Sequence, residues 1–472
     1  MLSSLLNYQI LFFFVGSLIT TSLLTPLVIY LSHKIGAIEH GGYRKINKNL
    51  VPLLGGISIA IPFIISLTII ALYINQATQY IDVKYILSIG LGCIGIVCLG
   101  IYDDIFTLRA NLKLLGQCAI AIFTVLVCLH GQVFKEIYLP FLGNKSISAT
   151  WSILICTAWI VGLINAFNLI DGIDGLASGI TLVISLSLAA FGIIEKNLLL
   201  ILASAALSGS LLAFLFFNFH PAKIFLGDTG SMFLGYVIAV LTLLSSYRKG
   251  AAIITFVPLL VVGLPIFEMV LSIIRRYVSG LPIFTGDSHH IHHRLLNRGY
   301  SQRKVVLILY GTSFFMAVLA ISEMILPNQW RWLPMLLFIA TFLLIAWFSG
   351  YFQPGFLGKL KPRRKNNILL QTFTNYVIQS YNTHRNNKVS QELLANLCCA
   401  EFDLNFFYAH SSNKTLLQSG SKNLNFSVET INIKSSNNQD TVIEYQFNNV
   451  PTELKRHDIS IFLAKIFSSI CV

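Results

Sequence analysis

Charge is scarce in this chain. Only 11% of its 472 residues are Asp, Glu, Lys or Arg, and 55% are hydrophobic. A soluble globular domain carries about 25% charged residues, so the shortfall excludes a soluble fold. Cysteine is sparse too. No pair among the eight has metal-ligand or redox spacing, and Cys398-Cys399 reads as a reduced pair in an internal tail. No Lys or Arg precedes the first apolar run. The basic n-region of a cleaved signal peptide is therefore missing, and the first span is expected to be retained with its start outside. No compact basic and aromatic pattern is present, so no nucleic-acid partner is expected despite a net charge of +13. No His-Glu-x-x-His zinc motif and no sequence repeat occur.

What the chain does have is apolar length. Its mean hydropathy is +0.71. Runs of about 20 apolar residues match the hydrocarbon thickness of a bilayer. The expected spans are roughly 10–31, 51–73, 85–101, 112–130, 151–167, 177–194, 198–217, 230–246, 251–274, 304–325 and 331–350. Lipid offers no partner for an open amide, so each span should be helical. The predicted fold is an all-α polytopic membrane protein of about eleven transmembrane helices, with a small cytoplasmic α+β C-terminal domain. Residues 1–350 form the membrane domain and 351–365 a basic linker. Residues 366–472 form the accessory domain, with helices near 367–382, 389–399 and 452–469. Its strand candidates are Phe402–Ala409, Asn425–Ile433 and Thr441–Phe447, arranged as a meander.

Basic residues orient the spans. With the loop after span one inside, the short loops hold thirteen Lys and Arg on that side and seven on the other. The tail holds the remaining thirteen. The same choice puts every suspicious polar cluster on the cytoplasmic side.

Those clusters sit at span ends, where ionisable groups are costly and usually functional. Asp103-Asp104 ends span three; such a pair can bind Mg²⁺, take a proton or attack phosphorus, although solvated boundary acids look the same in sequence. Asn165, Asn168, Asp171 and Asp174 follow span five. On a helix their spacing would put each pair on one face, and Gly172, Gly175 and Gly179 leave room for a bulky polar substrate. Asn218 and Asp228 bracket a loop after span seven, where Asp228 could cap a helix or ligate a metal. His289, His290, His292 and His293 lie near Arg275, Arg276, Arg294 and Arg298, a set of donors suited to phosphates. Gly55-Gly56 reads as a packing feature.

The ordered motifs Pro52-Leu-Leu-Gly55-Gly56, Tyr102-Asp103-Asp104, Asn168-Leu-Ile-Asp171-Gly-Ile-Asp174-Gly175, Phe225-Leu-Gly227-Asp228-Thr-Gly230 and His290-Ile-His292-His293-Arg294 resemble the polyprenyl-phosphate N-acetylhexosamine-1-phosphate transferases. The resemblance covers roughly residues 10–350 and not the tail. The His-Ile-His-His form is similar to the branch that begins enterobacterial common antigen, O-antigen and teichoic acid linkage units. The resemblance implies transfer of a sugar 1-phosphate, GlcNAc-1-phosphate first among the choices, from a UDP-sugar to undecaprenyl phosphate. It also implies Mg²⁺ or Mn²⁺ and release of UMP at the inner membrane. It assigns Asp103 and Asp104 to the lipid phosphate and Asp228, with Asp104, to the metal. Asn168, Asp171, Asp174 and Asn218 would line the nucleotide pocket. Lys48, His290, His292, His293 and Arg294 would contact phosphates or sugar. Two residues depart from the family pattern: Asn47 stands where His is expected, and Glu268 where Asp is usual.

In-line displacement on the β-phosphate is the expected chemistry, with a covalent aspartyl-phosphate at Asp103 as the alternative. A homodimer and docking of a downstream glycosyltransferase on the tail are left open. Two rivals remain at this point. A transporter of an anionic metabolite would hold its polar groups near the midplane in broken helices. A sensor working through its tail would leave the clustered acids without a purpose.

Overall fold

The computed structural model describes residues 2–39, 51–77, 83–128, 136–139, 143–247, 256–279, 290–330, 332–349 and four tail strands. The chain divides into two compact units, Met1–Ser272 with Asp287–Phe352, and Ile273–Gly286 with Gln353–Val472.

The first unit is helical. It opens with α1 (Leu2–Ile35), a strand pair β1 (Ile38–Glu39) and β2 (Val51–Pro52), then α2 (Gly55–Ala77), α3 (Val83–Phe106) and α4 (Ala110–Cys128). A hairpin of β3 (Glu136–Leu139) and β4 (Gly143–Ser146) leads into α5 (Ala149–Ile170), α6 (Leu176–Glu195), α7 (Leu198–Asn218) and α8 (Gly227–Tyr247). There follow α9 (Phe256–Val261), α10 (Gly263–Ser279), α11 (Ile291–Asn297), α12 (Gln302–Ile325) and α13 (Trp332–Phe348).

Nine of the described helices are long and apolar enough to cross a membrane. Two of the eleven expected spans take other forms. The stretch 251–274 contains the six-residue α9 and the start of α10, broken at Val262. Pro265 follows the break, in the first turn of α10, where its missing N–H leaves no bond unmade. The stretch 331–350 contains the 17-residue α13.

Helices α7 and α8 form the centre, with 83% and 89% of their spanning windows buried, against 28% in α1 and 22% in α4. Apolar side chains such as Phe12 and Leu23 face outward from α1, as lipid contact requires. Helix approach depends on small residues, because lipid is as apolar as the helices themselves. A Cβ on Gly235 of α8 would lie 2.6 Å from the Leu163 carbonyl oxygen and from Ile164 Cα of α5. A Cβ on Gly209 of α7 would collide with the Phe14 carbonyl of α1.

In the second unit the tail forms an antiparallel sheet of β5 (Leu404–Ser411), β6 (Lys414–Gly420), β7 (Glu429–Lys434) and β8 (Asp440–Phe447), in the order β6-β5-β8-β7. This corrects the expected meander: two hairpins join through β5 and β8. Strand β6 escapes a period-two reading because Leu416 and Leu417 are adjacent, which breaks the alternation. The expected tail helices and the linker lie outside the described residues.

Candidate active site

The site forms where the ends of α3, α4, α5 and α8 meet. Helix α3 continues to Phe106, so Asp103 and Asp104 sit on its last turn. They serve different partners. Asp103 Oδ1 accepts from the Leu108 N–H at 2.6 Å, closing the turn toward α4. Its Oδ2 meets Lys113 Nζ at 2.8 Å. Asp104 Oδ1 accepts from Asp228 N–H at 2.8 Å, and its Oδ2 accepts from Thr229 N–H and Thr229 Oγ1 at 3.0 and 2.6 Å. Asp104 therefore caps α8 from another helix, satisfying amides that a helix start leaves open.

Asp228 lies in the first turn of α8. Its Oδ1 is 3.0 Å from Lys113 Nζ and accepts from Asn168 Nδ2. Lys113 thus bridges Asp103 and Asp228. The Asn168 amide also donates to Ser231 Oγ at 3.0 Å. One turn back on α5, Asn165 donates to Gln117 Oε1 at 2.8 Å, which ties α5 to α4 below the site. The Lys113 side chain is 16% exposed, while Asp228 stays 33% open.

The link between α5 and α6 is not helical, so the shared helical face expected for Asp171 and Asp174 does not form. Gly175 takes a φ of +77°, and the chain turns there. Asp171 remains half-buried, and no protein donor contributes to its charge state among the described residues. Burial, then the charges of Asp228, Asp104 and Asp174, push its carboxyl up from 3.8 to about 8. Asp174 turns the other way and is buried. Its Oδ2 bonds His220 Nδ1 at 2.8 Å and accepts from Ala222 N–H at 3.2 Å.

Asn218 is buried as well. Its oxygen accepts from Ser178 at 2.7 Å and its amide donates to the Ile224 carbonyl at 2.9 Å. Asp174 and Asn218 thus shape the loop 219–226. That loop pairs with the start of α2: Gly55 and Gly56 N–H donate to Phe225 and Leu226 carbonyls, both at 3.0 Å. Helix α12 holds the same region, with Tyr310 donating to the Gly175 carbonyl and Arg303 Nε to the His220 carbonyl.

Helix α11 brings the histidines in. His292 is buried, with Nε2 lacking a hydrogen-bond partner among the described residues, and its ring fills the space a Cβ on Gly172 would need. Burial, then His293 and His290, hold its imidazole well below the usual range, so it is neutral. The His292 and His293 rings lie 4.3 Å apart. His290 Nδ1 is bonded to Glu268 at 2.8 Å. Arg294 donates to the Ser349 carbonyl at 3.4 Å. Lys48, Asn47 and His289 lie outside the described residues.

Lys113, Thr229, Ser231, His220 and Tyr310 were not singled out in the sequence. Lys113 did leave a signal, as a lone charge in an otherwise apolar run. Among the described residues no three His, Cys, Asp or Glu side chains form a ready metal cage. The half-buried Asp171, whose charge its acidic neighbours disfavour, and the open edge of Asp228 do suit Mg²⁺. That ion takes one or two carboxylates and completes its shell with water and phosphate oxygens.

Residues 86–246, which carry the acidic clusters, match the model of glycosyl transferase family 4. The chain is 37% identical over 332 residues to a probable undecaprenyl-phosphate N-acetylglucosaminyl 1-phosphate transferase of Bacillus subtilis, covering 70% of this chain and 88% of that protein. It is 31% identical to a decaprenyl-phosphate N-acetylglucosaminephosphotransferase of Mycobacterium leprae, over 62% of this chain and 78% of the relative. It is 28% identical to the undecaprenyl-phosphate alpha-N-acetylglucosaminyl 1-phosphate transferase of Escherichia coli K12, over 74% and 95%. The chain belongs to the polyprenyl-phosphate N-acetylhexosamine-1-phosphate transferase family.

Proposed function

We propose that this enzyme transfers GlcNAc-1-phosphate from UDP-GlcNAc to undecaprenyl phosphate and releases UMP. The reaction takes place at the cytoplasmic face of the bacterial inner membrane and begins a cell-surface polysaccharide. The observation that carries this reading is the Asp103–Lys113–Asp228 bridge, with Asn168 on Asp228 and, nearby, Asp171, whose charge Asp228 and Asp104 disfavour. It sets one ammonium among carboxylates at the end of apolar helices, where a lipid phosphate and a water-borne nucleotide can meet.

A phosphate oxygen of the lipid attacks the β-phosphorus of the donor. The bond from that phosphorus to the bridging oxygen breaks, and the electron pair leaves on UMP. Anions must approach one another, so positive charge is needed at the point of contact. Lys113 supplies it, held by Asp103 and Asp228. Direct transfer is favoured over a covalent aspartyl-phosphate, because Asp103 is buried and both its oxygens are engaged. Mg²⁺, or Mn²⁺, would be held by Asp228 and Asp171 and would supply Lewis-acid stabilisation of the transferred phosphoryl group. Asp104 is assigned to holding α8 in place. His290, His292, His293 and Arg294 are assigned to the donor's phosphates or sugar, with Asn168 at the nucleotide. Asp174 and Asn218 act through the loop they brace.

Purified enzyme, labelled UDP-GlcNAc or UDP-GalNAc and undecaprenyl phosphate test the reading. Transfer from UDP-GlcNAc with UMP release is expected. Asp228→Asn should lose turnover and metal dependence together. Near-normal rate with an unchanged Mg²⁺ titration in that variant would remove Asp228 from the metal site.

A further inference from the structure

Glu268 on α10 is a carboxylate only 2% exposed. Its Oε1 meets His290 Nδ1 at 2.8 Å and accepts from Ile291 N–H at 3.0 Å, while Oε2 lies 3.2 Å from the same N–H. Helix α11 is seven residues long, and its cap residue His290 makes no side-chain cap bond. The missing cap comes instead from α10.

We propose that Glu268 is a positioning residue that presents His290 to the donor and sets the first turn of α11 against the Asp171 loop. A carboxylate only accepts, so His290 Nδ1 carries the hydrogen and Nε2 is left for a ligand. The same carboxylate takes the first amide of α11. That helix also carries His292, whose ring packs on Gly172, next to Asp171. The His290 and His292 rings lie 5.5 Å apart and 14° from parallel, so tilting one displaces the other. Aspartate at position 268 would withdraw the oxygens by about 1.5 Å, the length of one C–C bond. The longer side chain is therefore matched to the place of α11 in this protein.

The inference rests on the assignment of His290 to the donor, and a double-variant cycle in purified full-length enzyme separates the two. Glu268→Leu fills similar volume without an acceptor. It should lower kcat/KM for UDP-GlcNAc about tenfold or more, in line with small misplacements of reacting groups. Glu268→Gln keeps one acceptor oxygen and should recover most of that loss. In a His290→Ala background, Glu268→Leu should cost clearly less than in the native chain, because only the amide contact to α11 is then left to lose. An unchanged kcat/KM in Glu268→Leu, or losses that multiply in the double variant, overturns the proposal. If Glu268→Leu does not fold, Glu268→Asp carries the same cycle, with a several-fold loss that shrinks in the His290→Ala background. An unchanged rate or multiplied losses there overturn it equally. Full activity in His290→Ala alone would instead overturn the assignment of His290 to the donor.

Discussion

Lys113 is the only cation bonded to both Asp103 and Asp228 among the described residues. Lys113→Met keeps the length of the side chain and removes its charge. Transfer should fall by about a hundredfold or more, the scale of losing one electrostatic donor at a reacting centre. Single-turnover transfer in a variant shown to be folded measures this, and a loss below threefold would take Lys113 out of the reaction. Asp171 supports a second prediction. A carboxyl raised from 3.8 to about 8 binds its proton more tightly in the folded state. Its contribution to stability is complete below pH 3.8 and disappears as pH rises to about 8. In metal-free detergent solution, Asp171→Asn should therefore raise the melting temperature relative to the native chain at pH 8.5, and the difference should shrink toward pH 5. A difference independent of pH would contradict the burial of this carboxyl. The identity of Asp171 was legible in the sequence, but its burial beside Asp228 and Asp104 was not. Nothing in a linear motif shows that Asp174, three residues away, turns toward His220.

At the scale of elements, the site depends on three helix ends meeting almost backbone to backbone. Asp104 reaches α8 only because α3 can approach it at Gly100, where a Cβ would meet the Thr229 backbone. Gly56 approaches Gly230 in the same way from α2, and a Cβ there would lie 2.7 Å from the Thr229 carbonyl carbon. Gly56→Ala should therefore cost about 1–3 kcal/mol as overpacking. Thermal unfolding and specific activity should fall together, because the displaced backbone carries the α8 amides that Asp104 caps. A variant with native melting and native rate would show that the contact yields freely. The sequence reading of Gly55-Gly56 as a packing feature matches this geometry. What it contained no hint of was the partner, since Gly230 is distant in the chain. The interruption between α9 and α10 was likewise hidden, because hydropathy averages across a break that leaves composition unchanged.

At the scale of the whole molecule, the Bacillus subtilis relative is matched over 88% of its own length by only 70% of this chain. The relative's length is nearly used up before this chain's is. The motifs end at Arg298 and the last described helix of the first unit at Phe348. A chain truncated near Lys365 should insert and transfer sugar phosphate within several-fold of the full rate. Correct insertion with complete loss of transfer would mean that the tail contributes to the site. The four strands of the tail carry no group that the proposed reaction uses.

Composition and pattern alone determined that this is a helical membrane protein, and singled out the acidic segments that the structure brings together. Long apolar runs leave the backbone no alternative to helix in lipid, and an acid at a helix end in such a chain has few reasons to be there. Five motifs in order also sufficed to identify the family. The division of labour among the acids was decided only by the tertiary structure. Asp103 and Asp104 are neighbours in sequence, yet one holds Lys113 and the other caps α8. Glu268 is separated from His290 by 22 residues and still bonds it. Local sequence sets which groups are present and how a helix turns them. Which groups face one another depends on how helices distant in the chain pack, and packing is fixed by close approaches such as Gly56 on Gly230, not by the motifs themselves.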